Sequence, residues 1–392
     1  MRKLTFILVA FLISVSMSAQ DEKKGYEFTV IKENAITPVK NQANTGTCWS
    51  FSAMSFLESE LLRMGKGTHD LSEMYNVRRN YEDKADKYAR THGHMIFAQG
   101  GSFADVVETL DEYGLVPEEA YTGLLDGNDR HNHTEMEKVL AGYVKGLIPG
   151  RSLSKQWKVA YNGILDTYMG EKPETFTYEG KTYTPQQFRD YLGIKQSDYI
   201  SITSYTHEPF YKSFAIEVPD NWRWAHSYNL PVDEMIETID HALLNGYTVA
   251  WATDVSEVGF SRQGIAIIPD ENAVENAGTD QAKWLGLSES ERRSSVSGKI
   301  GYEILKEKDI TQEMRQEAYD NYETTDDHGM HIYGIAKDQQ GNKYYMVKNS
   351  WGETGPYNGL WYASEAFVRY KTMSIVINKA SLPKNVAKKL SL

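Results

Sequence analysis

A chain of 392 residues with one cysteine, Cys48, has no intrachain disulfide available, so its fold must be held by packing and hydrogen bonding alone. Composition supplies the means: 41% apolar and 12% aromatic residues over this length are enough for a large buried core. The 24% charged fraction, 30 Gly and 11 Pro leave no basis for a collagenous, low-complexity or wholly disordered chain. A formal charge of -12 makes the average surface repel phosphate backbones and anionic lipid, so no nucleic-acid partner is expected.

The first twenty residues read MRKLTFILVAFLISVSMSAQ: Arg2 and Lys3 are a short positive start, Leu4 to Val15 an apolar run, and Ser16 to Ala19 a small-residue exit. The run falls short of the roughly 20 apolar residues that a membrane span needs, and nothing later resembles a span. Residues 1–19 therefore read as a signal peptide, and the mature protein is expected outside the cytoplasm, periplasmic or extracellular. An oxidising compartment tends to consume a lone thiol, which makes the retention of Cys48 a question about its work.

After Cys48, residues Trp49, Ala53, Phe56, Leu57, Leu61 and Met64 recur at three- and four-residue intervals with Met54 and Leu62 beside them. The spacing predicts a mostly buried helix ending at Gly65, with Cys48 in its first turn. Unpaired N–H groups and the positive end of the macrodipole there favour a thiolate. A buried structural thiol is the usual reading of a single cysteine. Here Gln42, six residues upstream with Gly46 between, supplies a carboxamide donor for an oxyanion forming beside the sulfur.

Near the other end, two apolar runs flank Asp338-Gln-Gln-Gly341-Asn342, which predicts a β-hairpin. One strand carries His328 and His331; Asn349 closes the other, followed by Trp351. A thiolate nucleophile wants an imidazole to take its proton and return it to the leaving amine, and that imidazole wants a third group to orient it. Strand alternation places residues 328 and 331 on opposite faces, so one of the two is expected at a site.

Gln42 through Ser52, together with Asn349-Ser350-Trp351-Gly352, resembles the papain family of cysteine peptidases, which carries Gln, Cys, His and Asn in this chain order. The family pattern of His, a small residue, then an apolar one fits His328-Gly329-Met330. The resemblance implies that Cys48 is the nucleophile, His328 its base, Asn349 the orienting group and Gln42 an oxyanion donor. It also implies an α+β, two-lobed papain-like fold. A helical lobe would carry the Cys, and an antiparallel, barrel-like β lobe the His and Asn. The gap from Cys48 to His328 is about 280 residues against roughly 130–150 in papain-type enzymes, so a large inserted subdomain is expected. The resulting layout is a helical lobe at 20–125, the insertion at 126–240 and the β lobe at 241–392.

The large insertion, the lack of disulfides and the short stretch ahead of Gln42 are similar to the bleomycin hydrolase or aminopeptidase C branch. So are Gln99-Gly100-Gly101-Ser102-Phe103 and Tyr247 to Val255. By that resemblance Gly100 and Gly101 pair backbone to backbone with an extended peptide substrate, although Gly-Gly is equally a turn before a helix at 102–113. The branch implies a ring-shaped homo-oligomer, a hexamer, and an aminopeptidase restricted by a C-terminal arm in the cleft. Residues 381–392 look too short for such an arm, which leaves an endopeptidase as the alternative. Outside hydrolysis stand acyl transfer to another amine and a non-catalytic peptide-binding protein on the same fold. No cofactor is implied. The pairs His92/His94 and His131/His133 are too weak a pattern for a metal, and none is expected.

Within the insertion, residues 175–183 predict a small hairpin followed by a helix opened by Thr184, Pro185 and Gln187. The stretch Glu271 to Arg293 is polar and reads as an exposed excursion.

Overall fold

The computed structural model describes residues 25–125, 127–148, 150, 152–270 and 296–392. The expected signal peptide and the polar stretch Glu271–Arg293 lie outside them. The first strand, β1 (Thr29–Glu33), precedes helix α1 (Cys48–Arg63), whose residues from Trp49 to Leu61 are all buried. That burial is what the broad apolar face demanded. The helix stops where Gly65, at φ +69°, turns the chain and donates to the Leu62 carbonyl at 3.1 Å.

Helix α2 (Glu73–Arg90) crosses α1, and the two short helices α3 (Ala104–Val107) and α4 (Leu110–Tyr113) take the place of the single helix expected over 102–113. The break falls at Thr109, whose hydroxyl bonds the carbonyls of Asp105 and Val106 at 2.9 and 3.1 Å. Side-chain competition of this kind interrupts a helix.

Within the segment expected as an insertion, the helices and hairpin up to Ile194 share the core of the first half, whereas Ile202 and Leu230 to Ile239 pack into the core of the second. Helices α5 (Thr134–Leu147) and α6 (Gln156–Met169) pack on α2 through Met136, Leu140, Tyr161 and Leu165. The buried Arg78 of α2 holds Asp166 of α6 at 2.5 Å. The hairpin β2 (Phe176–Tyr178) and β3 (Lys181–Tyr183) leads into α7 (Pro185–Leu192), opened by a reciprocal pair of bonds between Thr184 and Gln187 with Pro185 at the first position. The expected turn chemistry is present throughout this segment.

One long sheet organises the rest. Strands β4 (Tyr199–Thr203), β5 (Ser213–Ala215) and β6 (His226–Asn229) precede helix α8 (Val232–Leu244) and β7 (Val249–Thr253). Short strands β8 (Phe260–Ser261) and β9 (Ile265–Ala266) follow, then helix α9 (Gln312–Asp320). The C-terminal part holds β10 (His328–Lys337), β11 (Lys343–Lys348), β12 (Leu360–Ser364), helix α10 (Glu365–Lys371), β13 (Thr372–Asn378) and helix α11 (Lys384–Leu390).

The sheet order is β5-β6-β4-β13-β7-β10-β11-β12-β9-β8, and β1 continues the β7 edge of β10. The fold is thus a mixed helix and sheet arrangement, but the β lobe is no closed barrel. Strands β4 to β6 lengthen one end and β8 with β9 the other, and the two ends do not pair. Nor is the sheet wholly antiparallel, because β4·β6 and β12·β9 run parallel, each pair spanning an intervening hairpin or strand. Helix α1 packs on β10 and β7, which brings the start of the helix to the start of β10. Among the described residues no helix is long and apolar enough to cross a membrane.

Candidate active site

The approach of α1 to β10 rests on a glycine. A Cβ on Gly329 would lie 3.3 Å from the Trp49 Cα and 3.4 Å from its backbone N, so the absence of a side chain lets the helix start sit directly on the strand. Ser52 of α1 donates to the Gly329 carbonyl at 2.7 Å and fixes the contact. Cys48 and His328, on either side of this junction, line one narrow pocket of about 20 Å³, together with Gly101, Ser102, Phe103, Asp220 and Asp326.

Hairpin β10–β11 pairs only from His331 opposite Lys348 onward, so His328 and Asn349 stand just past its open end and meet there. His328 Nε2 and Asn349 Oδ1 are 2.8 Å apart. The backbone N–H of Ser350 donates to the same oxygen at 2.7 Å, so that atom is an acceptor and the imidazole must be the donor. Nε2 therefore carries the proton and Nδ1 holds a lone pair. The Trp351 ring lies over the imidazole at 4.8 Å between centroids, backed edge-on by Phe260 and Trp361, and screens the His–Asn bond from solvent.

Gln42 reaches the site by strand-like pairing between the two ends of the chain. Gln42 N donates to Ser350 O at 2.8 Å, Gly352 N to Lys40 O at 3.0 Å, and Asn41 bridges Trp351. The Gln42 carboxamide is oriented at both ends: Ser350 Oγ donates to Oε1 at 2.6 Å, and Nε2 donates to Thr45 O at 2.7 Å. One N–H of that amide remains for an oxyanion. The Cys48 N–H, in the first turn of α1, has no intrahelical acceptor and is available to the same atom.

The electrostatics differ from the helix-terminus expectation of a thiolate. Burial pushes the Cys48 thiol up to about 12; backbone hydrogen bonds from Gly329 and Trp49 oppose this, while the Asp220 and Asp326 anions add to it. Burial likewise holds His328 down to about 4, against the bond to Asn349. Desolvation thus opposes the thiolate that the helix dipole favours at this end of α1.

His331 lies apart from this pair. Its Nδ1 bonds Ser55 Oγ at 2.9 Å, two turns further along α1, and it lines no part of the Cys48 pocket. His328 and His331 pair with β7 in one unbroken register, opposite Thr253 and Ala250, so strand alternation sets them on opposite faces of β10, His328 against Trp351 and His331 against α1. Gly100 and Gly101 run beside the pocket, held by Trp49 Nε1 on Gln99 O at 3.1 Å and Gly46 N on Gln99 Oε1 at 2.7 Å. A Cβ on Gly101 would strike Asp105 and the Trp49 indole, and one on Gly100 would lie 2.3 Å from Asp220 Oδ1.

Two residues of this neighbourhood were silent in the sequence and a third nearly so. Ser350 was visible only as part of a motif, and Asp220 and Asp326 belong to no pattern. Among the described residues no group of three or more His, Cys, Asp and Glu is arranged to hold a metal ion.

Comparison with known proteins agrees with this geometry. The family model for papain family cysteine proteases matches residues 26–205, and that for the peptidase C1-like family matches residues 270–392. Aminopeptidase C of Streptococcus thermophilus is 22% identical over 87% of this chain and 80% of its own length. Aminopeptidase C of Lactobacillus helveticus is 23% identical over 89% and 81%. The crystal structure of PepW from Lactobacillus rhamnosis HN001 superposes with a TM-score of 0.68 at 19% identity, over 93% of this chain and 84% of that one, and shares the fold. The chain belongs to the papain family of cysteine peptidases, and over most of its length it is similar to the aminopeptidases C.

Proposed function

We propose that the protein hydrolyses peptide bonds as a cysteine aminopeptidase, with Cys48, His328, Asn349 and Gln42 as its working groups. The observation that carries this reading is the shared pocket of Cys48 and His328 with the imidazole tautomer set by Asn349. Cys48 Sγ attacks the scissile carbonyl carbon as its proton passes to His328 Nδ1, and the C–N bond of the tetrahedral species then breaks as that proton goes to the leaving amine. Water, deprotonated by the same nitrogen, releases the acyl group from sulfur. Gln42 Nε2 and the Cys48 N–H receive the oxyanion. The oxyanion forms inside a site whose donors are already aimed.

The exopeptidase half of the reading is supported by the similarity to the aminopeptidases C. Gly100 and Gly101 border the substrate channel in it. We also propose export from the cytoplasm, on the pattern of residues 1–20, and a homo-oligomer by likeness to the same branch. N-terminal sequencing of the secreted product and sedimentation of the full protein test these two points.

For the activity itself, a peptide epoxide should modify Cys48 stoichiometrically and abolish cleavage of an aminoacyl coumarylamide. Cys48→Ala should fall to background. Undiminished cleavage by that variant would remove the mechanism.

A further inference from the structure

Five carboxylates surround the Cys48 pocket, and three of them are committed. Asp105 accepts from Arg223 Nε at 2.6 Å and from Ser102 N at 2.7 Å. Asp254 accepts from the backbone N–H of Ser256 and of Thr325, both at 2.7 Å. Asp327 accepts from Val255 N at 2.9 Å and from the Ser256 hydroxyl. The other two, Asp220 and Asp326, line the pocket beside the sulfur, and neither has a hydrogen bond or a salt bridge among the described residues.

Burial raises both carboxyls, that of Asp220 to about 6, and each sits in the repulsive field of its neighbours, with Lys84 as the cation acting on Asp220. Lys84 spends its ammonium on the carbonyls of Ala98 and Gly100, at 2.8 and 2.5 Å. A second, independent feature of the pocket is the Ser102 hydroxyl, which is buried there without a hydrogen-bond partner. Asp220 and Asp326 are half-buried, and two neighbouring carboxyls held there without a partner cation are relieved when a cation joins them.

Their position says which cation. The Asp220 carboxylate rests on the bare Cα of Gly100, so close that a Cβ there would overlap it. It thereby occupies space beside the backbone that an extended substrate would need for a residue preceding the one that acylates Cys48. A substrate ending at the acylating residue leaves that carboxylate in place and presents a free ammonium toward it.

We propose that Asp220 and Asp326 bind the α-ammonium group of the substrate and, by filling the next position, restrict cleavage to the first peptide bond. This rests on the aminopeptidase reading above and names the residues that impose it. The anchor comes from the loop between β5 and β6 and from the residue two before His328, and helix α11 lines none of the pocket. Ser102 Oγ adds an acceptor for a third ammonium hydrogen.

The test uses the full-length enzyme and pairs of aminoacyl coumarylamides with a free or an N-acetylated amino group. The wild type should prefer the free amine by 100-fold or more in kcat/KM. Asp220→Asn and Asp326→Asn, each keeping the side-chain shape, should each cut that preference at least tenfold, chiefly through KM for the free amine. The double variant should cut it further. Thermal unfolding midpoints and stoichiometric epoxide labelling of Cys48 report whether each variant is folded and has an intact nucleophile. An unchanged free-to-blocked ratio in folded, labelled variants overturns the inference. So does a wild type that cleaves N-blocked substrates with a basic penultimate residue and loses that preference in Asp220→Asn, for then the carboxylates read a side chain. Should either variant fail to fold, inhibition of the wild type by an amino-acid aldehyde and by its N-acetyl derivative decides: equal inhibition constants overturn the proposal. Loss of the peptidase reading itself would show separately, as cleavage that survives Cys48→Ala.

Discussion

The Ser350 hydroxyl donates to Gln42 Oε1 at 2.6 Å, and so a residue beside the orienting Asn349 also determines which end of the Gln42 carboxamide faces the sulfur. The two halves of the site are locked to one another by side chain as well as by backbone. Gln42→Ala should lower kcat by about 100-fold to 1,000-fold with little change in KM, as removal of one oxyanion donor does. Ser350→Ala leaves the donor present but unaimed, and its loss of kcat should be smaller, about fivefold to tenfold, the worth of one neutral hydrogen bond. Steady-state kinetics on one aminoacyl substrate compares them; equal losses would mean that Ser350 has a further role.

The acid limb of the activity profile should report His328. Its imidazole is held down to about 4 by burial, so Nδ1 keeps its lone pair until the pH falls to that region. Below it the nitrogen is protonated and cannot take the thiol proton, and kcat at saturating substrate, where the ammonium site on Asp220 is already filled, should fall tenfold per pH unit. Asn349→Asp keeps an acceptor for Nε2–H and for the Ser350 N–H but adds an anion 2.8 Å from the ring. An anion favours the imidazolium, so the limb should move to higher pH. A limb that stays in place would detach it from His328.

Gly329→Ala puts a methyl 3.3 Å from Trp49 Cα, at the point where α1 meets β10. The strand must yield by a few tenths of an ångström, and His328 is the adjacent residue. Alkylation of Cys48 by iodoacetamide should remain possible while kcat drops at least tenfold, since small misplacements of a catalytic pair are expensive. Full activity in the variant would show that the junction has slack.

Arg315 of α9 is buried and donates to the carbonyls of Ser204, Arg369, Tyr370 and Thr372, under the Tyr205 ring at 4.7 Å. It ties the end of β4 to the link between α10 and β13. Arg315→Met fills the volume and leaves those acceptors unmet, which should cost about 3–5 kcal/mol. A thermal melt that moves by less than a degree or two would contradict this.

What the sequence disclosed was local. The period of apolar residues after Cys48 marked α1, the Gly341-Asn342 turn marked β10–β11, and Thr184, Pro185 and Gln187 marked α7, because each depends on neighbours in the chain. The pairing of 40–42 with 350–352 was hidden, since no periodicity records a contact across 300 residues. Desolvation was hidden for the same reason: the first turn of α1 suggested an acidic thiol, and burial together with Asp220 and Asp326, brought there by the fold, pushes the other way. Asp220 and Asp326 carry no motif, and their importance lies in what fails to partner them.

The pairing of residues 40–42 with 350–352 has a consequence for the life of the molecule. Gln42 and Cys48 emerge from the ribosome well before the groups that aim and deprotonate them, His328, Asn349 and Ser350, far downstream in the chain. A nascent chain therefore carries its sulfur as an idle passenger until synthesis has passed Trp351, and peptidase competence can arise only after the helical half is already made.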